Sequence, residues 1–159
     1  MIYVLKCIDK IVEYLYLKQD GNLAYYDTLT KVNNRLFYDR VIKQKYLGRE
    51  CVVIFIDIDG LKFANDTKGH YEGDKLILSV VEQLKKIRHT DYIIRYGGDE
   101  FILIGDKILK EDLKLLNNVS YGVSIKAAYE DMSSAISKAD GLMYAEKEKK
   151  KMCRNYFHY

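Results

Sequence analysis

The spacing of apolar residues changes several times along the chain, and each change marks an element. Met1, Leu5, Ile8, Val12 and Leu15 are spaced 4-3-4-3, the seam of a short two-stranded coiled coil, so residues 1–19 are predicted to form an amphipathic helix. Two readings of it stay open: a stalk that pairs two chains, or a helix packed on its own domain. Gly21-Asn22 ends it. Residues 23–46 read as helical again, with Asp27 or Thr28 as cap and Leu29, Val32, Leu36 and Phe37 on one face. The run CVVIFIDID (51–59) is apolar at successive positions and ends in two acids, the pattern of a buried central strand. From Asp74 to Arg88 the period returns to that of a helix, with Ile77, Val80, Val81, Leu84 and Ile87 facing the core. Tyr92–Tyr96 and Phe101–Ile104 read as the two arms of a hairpin around GGDE. A short helix over 107–117, a strand over Val119–Ile125 and a helix from Asp131 to about Lys151 complete the chain. The last helix is expected to turn Met132, Ala135, Ile136, Ala139, Leu142 and Met143 inward. After the leading helices the order is β-α-β-β-α-β plus a closing helix, which predicts an α+β fold with an antiparallel sheet and helices on one face.

Composition narrows the function classes. The chain has 159 residues, 48% hydrophobic and 31% charged, which suits one globular domain with an appendage. Cys7, Cys51 and Cys153 show no CxxC or CxxH spacing, which argues against a zinc site or a disulfide framework and for a cytoplasmic, reducing location. A net charge of +3, with both signs interspersed, implies no nucleic-acid partner. No apolar run approaches the roughly 18 residues of a spanning helix, and the N-terminus lacks the form of a signal peptide, so no membrane role is expected.

The chemistry gathers at acids. Asp57 closes a long apolar stretch, where a carboxylate is costly unless paired, metal-bound or at a solvent-facing strand end. Asp59 shares its face by strand parity. Asp99 and Glu100 follow Gly97 and Gly98, which permit a tight turn and leave room for a ligand against the backbone. A strand-end acid beside a hairpin-tip acid suits a hard cation, Mg²⁺ or Mn²⁺ rather than zinc. Either acid alone would read as a turn residue.

Four segments remove that ambiguity. YDTLTKVNNR (26–35), IDIDGLKFANDTKGHYEGD (56–74), RYGGDEF (95–101) and ADGLMYAEK (139–147) occur in one order with compatible spacing. Together they resemble the signatures of the GGDEF family, the diguanylate cyclases, over residues 23–159, with residues 1–22 as a separate N-terminal helix. The resemblance implies a polymerase-palm, ferredoxin-like antiparallel sheet flanked by helices. It implies that two domains face each other, each with one GTP, and form cyclic di-GMP with release of two pyrophosphates.

By the same resemblance, Asp57 and the carbonyl of Ile58 bind metal. Asp99 binds metal and is the expected general base for the 3′-hydroxyl, with Glu100 beside it. Lys62 neutralises charge on the phosphates, Gly97 and Gly98 let the substrate approach, and Asn65 and Asp74 read the guanine edge. Lys147 reaches the triphosphate. Elementary chemistry agrees: guanine presents N–H donors that an ionised carboxylate accepts, and a positioned lysine offsets charge as pyrophosphate leaves. Lys147 and Lys151 lie at i and i+4 and are expected to share one phosphate group, while Lys149 and Lys150 read as an ordinary solvated helix end. His70 is taken as structural. Arg88 and Asp91 form an R-x-x-D pattern separated from Gly97 by five residues (92–96), which resembles the family's inhibitory site for its product.

The chain departs from the family in three ways. The stretch from Phe101 to Val119 is short, so a helix is trimmed. The usual G-R-N after the lysine arrives late, as Arg154-Asn155, so Lys151 is expected to replace it. No sensory domain is expected ahead of residue 23. A GTP or cyclic di-GMP receptor without activity, a cyclase for another cyclic dinucleotide, and a scaffold acting through residues 1–19 are the rival readings.

Overall fold

The structure is a computed structural model that describes residues 22–108 and 110–156. The helix expected over 1–19, and the stalk reading attached to it, lie outside the described residues.

A 3-10 turn (Asn22–Tyr25) leads into the two-residue strand β1 (Asn33–Asn34). A continuous helical run over 35–45, α1, follows; it has α-helical ends at Arg35–Phe37 and Lys43–Lys45 and a π-helical middle at Tyr38–Ile42. Then come β2 (Cys51–Ile58), α2 (Leu61–Lys68), α3 (His70–Leu84), β3 (Tyr92–Arg95) and β4 (Glu100–Gly105). The short α4 (Lys110–Leu113), β5 (Val119–Lys126) and α5 (Met132–Tyr156) end the described chain.

The five strands form one sheet in the order β1-β3-β4-β2-β5. β2 runs antiparallel to both β4 and β5, and β3 antiparallel to β4, as expected; β1 pairs parallel with β3, so the sheet is mixed. Strand parity divides the core. Val53 and Phe55 point to one face, where they meet Phe37, Val41 and Ile42 of α1 and Ala135, Ala139 and Met143 of α5. Ile54, Ile56 and Ile58 point to the other, against Leu61 of α2 and Ile77, Val80, Val81 and Leu84 of α3. Helices therefore cover both faces, which corrects the one-face expectation. A strand apolar at every position has no face to leave in water.

The expectation of helix over 23–46 is also corrected. Asp27 does not cap a helix. Its carboxylate accepts from the backbone N–H and hydroxyl of Thr30, at 2.8 and 2.7 Å, and closes a turn. The helix starts only after Asn34, whose side chain accepts from the N–H of Phe37 and donates to the carbonyl of Ala24. Leu36 is accordingly exposed. α3 begins at His70 rather than Asp74, because Gly69, at φ +85°, ends α2 and lets the chain restart at once. Of α5's expected inward residues only Leu142 is exposed; it lies at the border of the stripe formed by Met132, Ala135, Ile136, Ala139 and Met143. That stripe comes close to β5 at Gly122, where a Cβ would stand 2.0 Å from the carbonyl oxygen of Ala139. No helix among the described residues is long and apolar enough to cross a membrane.

Candidate active site

Asp57 is the last odd-numbered position of β2, so it shares a face with Val53 and Phe55 and is buried beneath α5. Its cross-strand neighbours are Glu100 on β4 and Ser120 on β5. The turn between β3 and β4 is fastened to this strand end: the N–H of Ile58 donates to the carbonyl of Asp99 at 3.0 Å. Within the turn, the N–H groups of Tyr96 and Gly97 both donate to the carbonyl of Glu100. Gly97 leaves room for the Glu100 carboxylate, since a Cβ would lie 2.4 Å from its Oε2 and push that side chain aside. Arg95 braces the turn from outside. Its guanidinium donates to the carbonyl of Gly98 at 2.7 Å and to the Asp27 carboxylate at 3.0 Å. The Asp27 turn thus has a structural purpose that its sequence did not reveal.

On the other side of the turn lies a cavity of about 400 Å³ between α2, α3 and the turn itself. Lys62, Asn65, Asp66, His70, Asp74, Arg95, Gly98 and Asp99 line it. Asn65 occupies room that Gly73 leaves, because a Cβ on Gly73 would stand 1.9 Å from its Oδ1. His70, read as structural, borders this cavity.

The acids crowd one another. Burial raises the pKa of Asp57, and the neighbouring Asp99 and Asp59 carboxylates push the same way, against the contact with Lys147. Glu100 is raised by burial and by Asp99, Asp57 and Asp140. Lys147 of α5 supplies the compensating charge, with Nζ 2.5 Å from Oδ1 of Asp57. Among the described residues, no three His, Cys, Asp or Glu side chains are grouped to enclose a metal ion on their own. The donor set nonetheless fits a hard cation shared with a ligand: oxygen donors only, and excess negative charge that a divalent ion relieves.

Sequence comparison matches residues 24–119 to the family described as "Diguanylate cyclase, GGDEF domain". The chain belongs to the GGDEF family. It is 41% identical over 88 residues to the bifunctional diguanylate cyclase/cyclic di-GMP phosphodiesterase MucR of Pseudomonas aeruginosa, covering 52% of this chain and 13% of that protein. It is 32% identical over 151 residues to the diguanylate cyclase DosC of Escherichia coli, covering 77% of this chain and 33% of that protein. The chain thus spans a third or less of the length of these two relatives. Its fold is similar to the coiled coil and GGDEF domain of DgcB from Caulobacter crescentus, solved in complex with c-di-GMP. The TM-score is 0.72 at 24% identity, over 92% of this chain and 94% of that one.

Within this GGDEF domain the expected residues fall into three places. Lys62, Asn65, Asp74, Gly98 and Asp99 border the cavity. Asp57, Ile58, Glu100 and Lys147 gather at the strand ends, where the 97–99 turn joins the two groups. Arg88 and Asp91 stand apart from both. Arg88 does not pair with Asp91; its guanidinium lies on Asp112 of α4 at 3.1 and 3.2 Å, while Asp91 accepts from the hydroxyl of Tyr46. The lysine run differs from its expected arrangement. Lys151 pairs with Glu148 at 2.7 Å on the exposed side of the helix, while Lys147 meets Asp57. Lys150, read as solvated, reaches Asp59, Ser120 and the carbonyl of Val119. Sequence reasoning missed Arg95, Gly73 and Lys150. Arg95 and Gly73 sit beside quoted motif residues, but Lys150 had no signal to distinguish it from Lys149.

Proposed function

We propose that this GGDEF domain is a diguanylate cyclase that condenses two GTP molecules into cyclic di-GMP and two pyrophosphates. The supporting observation is the 97–100 turn, which lies between a cavity of nucleotide size and the Asp57–Glu100–Lys147 cluster. Guanine sits between α2 and α3, its N–H donors on Asp74 and its remaining edge on Asn65. The triphosphate passes over Gly97 and Gly98 toward Lys62 and Lys147. Asp99 takes the proton as the 3′-oxygen of one nucleotide bonds to the α-phosphorus of the other and the bond to pyrophosphate breaks. Asp57, Asp99 and the carbonyl of Ile58 would hold Mg²⁺ or Mn²⁺, which supplies charge neutralisation for the phosphate oxygens.

One domain carries one nucleotide, so the active form is a homodimer with two sites face to face. Arg88 and Asp91 bind product and restrain the enzyme. The free thiols Cys51 and Cys153 suit the reducing cytoplasm, where this reaction is set.

The test is incubation with GTP and Mg²⁺ and identification of the product by mass. Asp99→Ala should lower the yield by at least ~10²-fold, the scale for losing a base or metal ligand. Wild-type yield from that variant overturns the assignment.

A further inference from the structure

β5 is an edge strand of the sheet, and its outer backbone groups need partners. Two side chains one turn apart on α5 supply them. Glu146 Oε2 accepts from the N–H of Tyr121 at 2.8 Å, and Lys150 Nζ donates to the carbonyl of Val119 at 2.5 Å. Those two groups flank Ser120, which is the cross-strand neighbour of Asp57.

Lys150 is saturated by this arrangement. Its ammonium also lies 3.1 Å from Oε1 of Glu146, 3.3 Å from the Ser120 hydroxyl and 3.4 Å from Oδ2 of Asp59. The Ser120 hydroxyl in turn donates to Oδ1 of Asp59 at 2.8 Å. An ammonium has three protons, so this contact set leaves none for another ligand. Lys150 is therefore a fastener and not a phosphate ligand. Lys147 lies between Glu146 and Lys150 in sequence and is the residue that meets Asp57.

We propose that Lys150, with Glu146, is a positioning residue that clamps α5 to the edge of β5, so that Lys147 is delivered to Asp57 and to the phosphates of the nucleotide. The clamp rests on the cyclase reading only for the reaction it serves; its geometry concerns nucleotide binding as well. Placing a charged group to within an ångström matters greatly at a phosphoryl-transfer centre, where most of the catalysis is positioning and electrostatics.

The experiment is a double-mutant cycle between Lys150→Met and Lys147→Met, with Lys150→Arg as the conservative variant. Two quantities are read: turnover of GTP, and binding of a GTP analogue whose α–β bridge is a methylene and cannot be cleaved. Lys150→Met should lower kcat by roughly tenfold to a hundredfold, the range for a misplaced catalytic group, with a smaller change in KM. Lys150→Arg should recover most of it, and melting temperatures should show each variant folded. The deciding result is non-additivity: in the Lys147→Met background, Lys150→Met should change neither turnover nor analogue affinity further. Additive losses would overturn the clamp and leave Lys150 with a merely structural role. A wild-type chain that binds the analogue and makes no cyclic dinucleotide would overturn the cyclase reading instead, and the binding cycle would still decide the clamp.

Discussion

Asn65 and Gly73 share one volume: the side-chain oxygen of Asn65 lies 1.9 Å from where a Cβ on Gly73 would be. Two forces on Gly73→Ala therefore oppose each other. In a helix interior, alanine is favoured over glycine by about 1 kcal/mol. The clash falls on the end of a flexible side chain, so the fold survives while the amide swings out of the cavity. Melting temperature should stay level or rise, and GTP affinity should fall about tenfold, the cost of one lost hydrogen-bond partner at a buried site. Calorimetric titration with GTP measures it, and unaltered affinity would show that Asn65 does not touch the base.

Asp74 is an acceptor-only carboxylate on the cavity wall. Adenine offers no N1–H for it. Replacing Asp74 with serine should reduce the preference for GTP over ATP, since sites built around a required hydrogen bond discriminate strongly. Competition between the two nucleotides reports the ratio, and a ratio equal to wild type would move the base elsewhere.

Arg88 is held by Asp112 at two nitrogens, and the arginine side chain is otherwise largely exposed. Product binding at Arg88, as proposed, would have to compete with this pair. Two substitutions should therefore act in opposite directions. Arg88→Ala should raise the cyclic di-GMP concentration needed for inhibition. Asp112→Asn should lower it, by about twofold to fivefold for an ion pair whose arginine is exposed. Initial rates without product should match wild type in both. Inhibition curves that do not move in either variant would separate product control from this pair.

Burial pushes the Asp27 carboxyl up, but hydrogen bonds from Thr30 and Arg95 more than offset it, so its pKa lies below the ordinary value. A depressed folded-state pKa stabilises the protein above the unfolded value, and that stabilisation is lost as pH falls through the folded value. Asp27→Asn should therefore be less stable than wild type at neutral pH, and the gap should narrow as pH drops below about 4, the ordinary carboxylate range. Urea midpoints at the two pH values test this; a gap that widens in acid would assign the stabilisation to other groups.

The strands and the long helices were legible because their periods are clean. Cys51–Ile58 is apolar enough to be fixed as a central strand, and Ile77, Val80, Val81 and Leu84 spell a helix face. Residues 27–34 were misread because Leu29, Val32 and Leu36 mimic a helical spacing, whereas the Asp27 side chain has a stronger local partner in Thr30. The cavity residues were legible through their motifs. The hold of Arg95 on Asp27 and the contacts of Lys150 depend on separations of 68 and 30 or more residues and carry no local pattern. The choice between Lys150 and Lys151 was equally hidden. Lys147 stands out through its motif, but Lys150 and Lys151 are neighbouring lysines on one helix, and only the contact of Lys150 with the edge strand separates them.

The brace from Asp27 through Arg95 to Gly98 is a mechanical connection as well as an electrostatic one. Asp27 follows the start of the described chain by five residues, and Gly98 touches Asp99 in the covalent backbone. A displacement of Asp27 either detaches the guanidinium from one of its oxygens or shifts the turn with it. Tension on residues 22–34 is then carried to the 97–99 turn by this one guanidinium, in parallel with the backbone pairing of β1 on β3 and the packing of Tyr25 in the core.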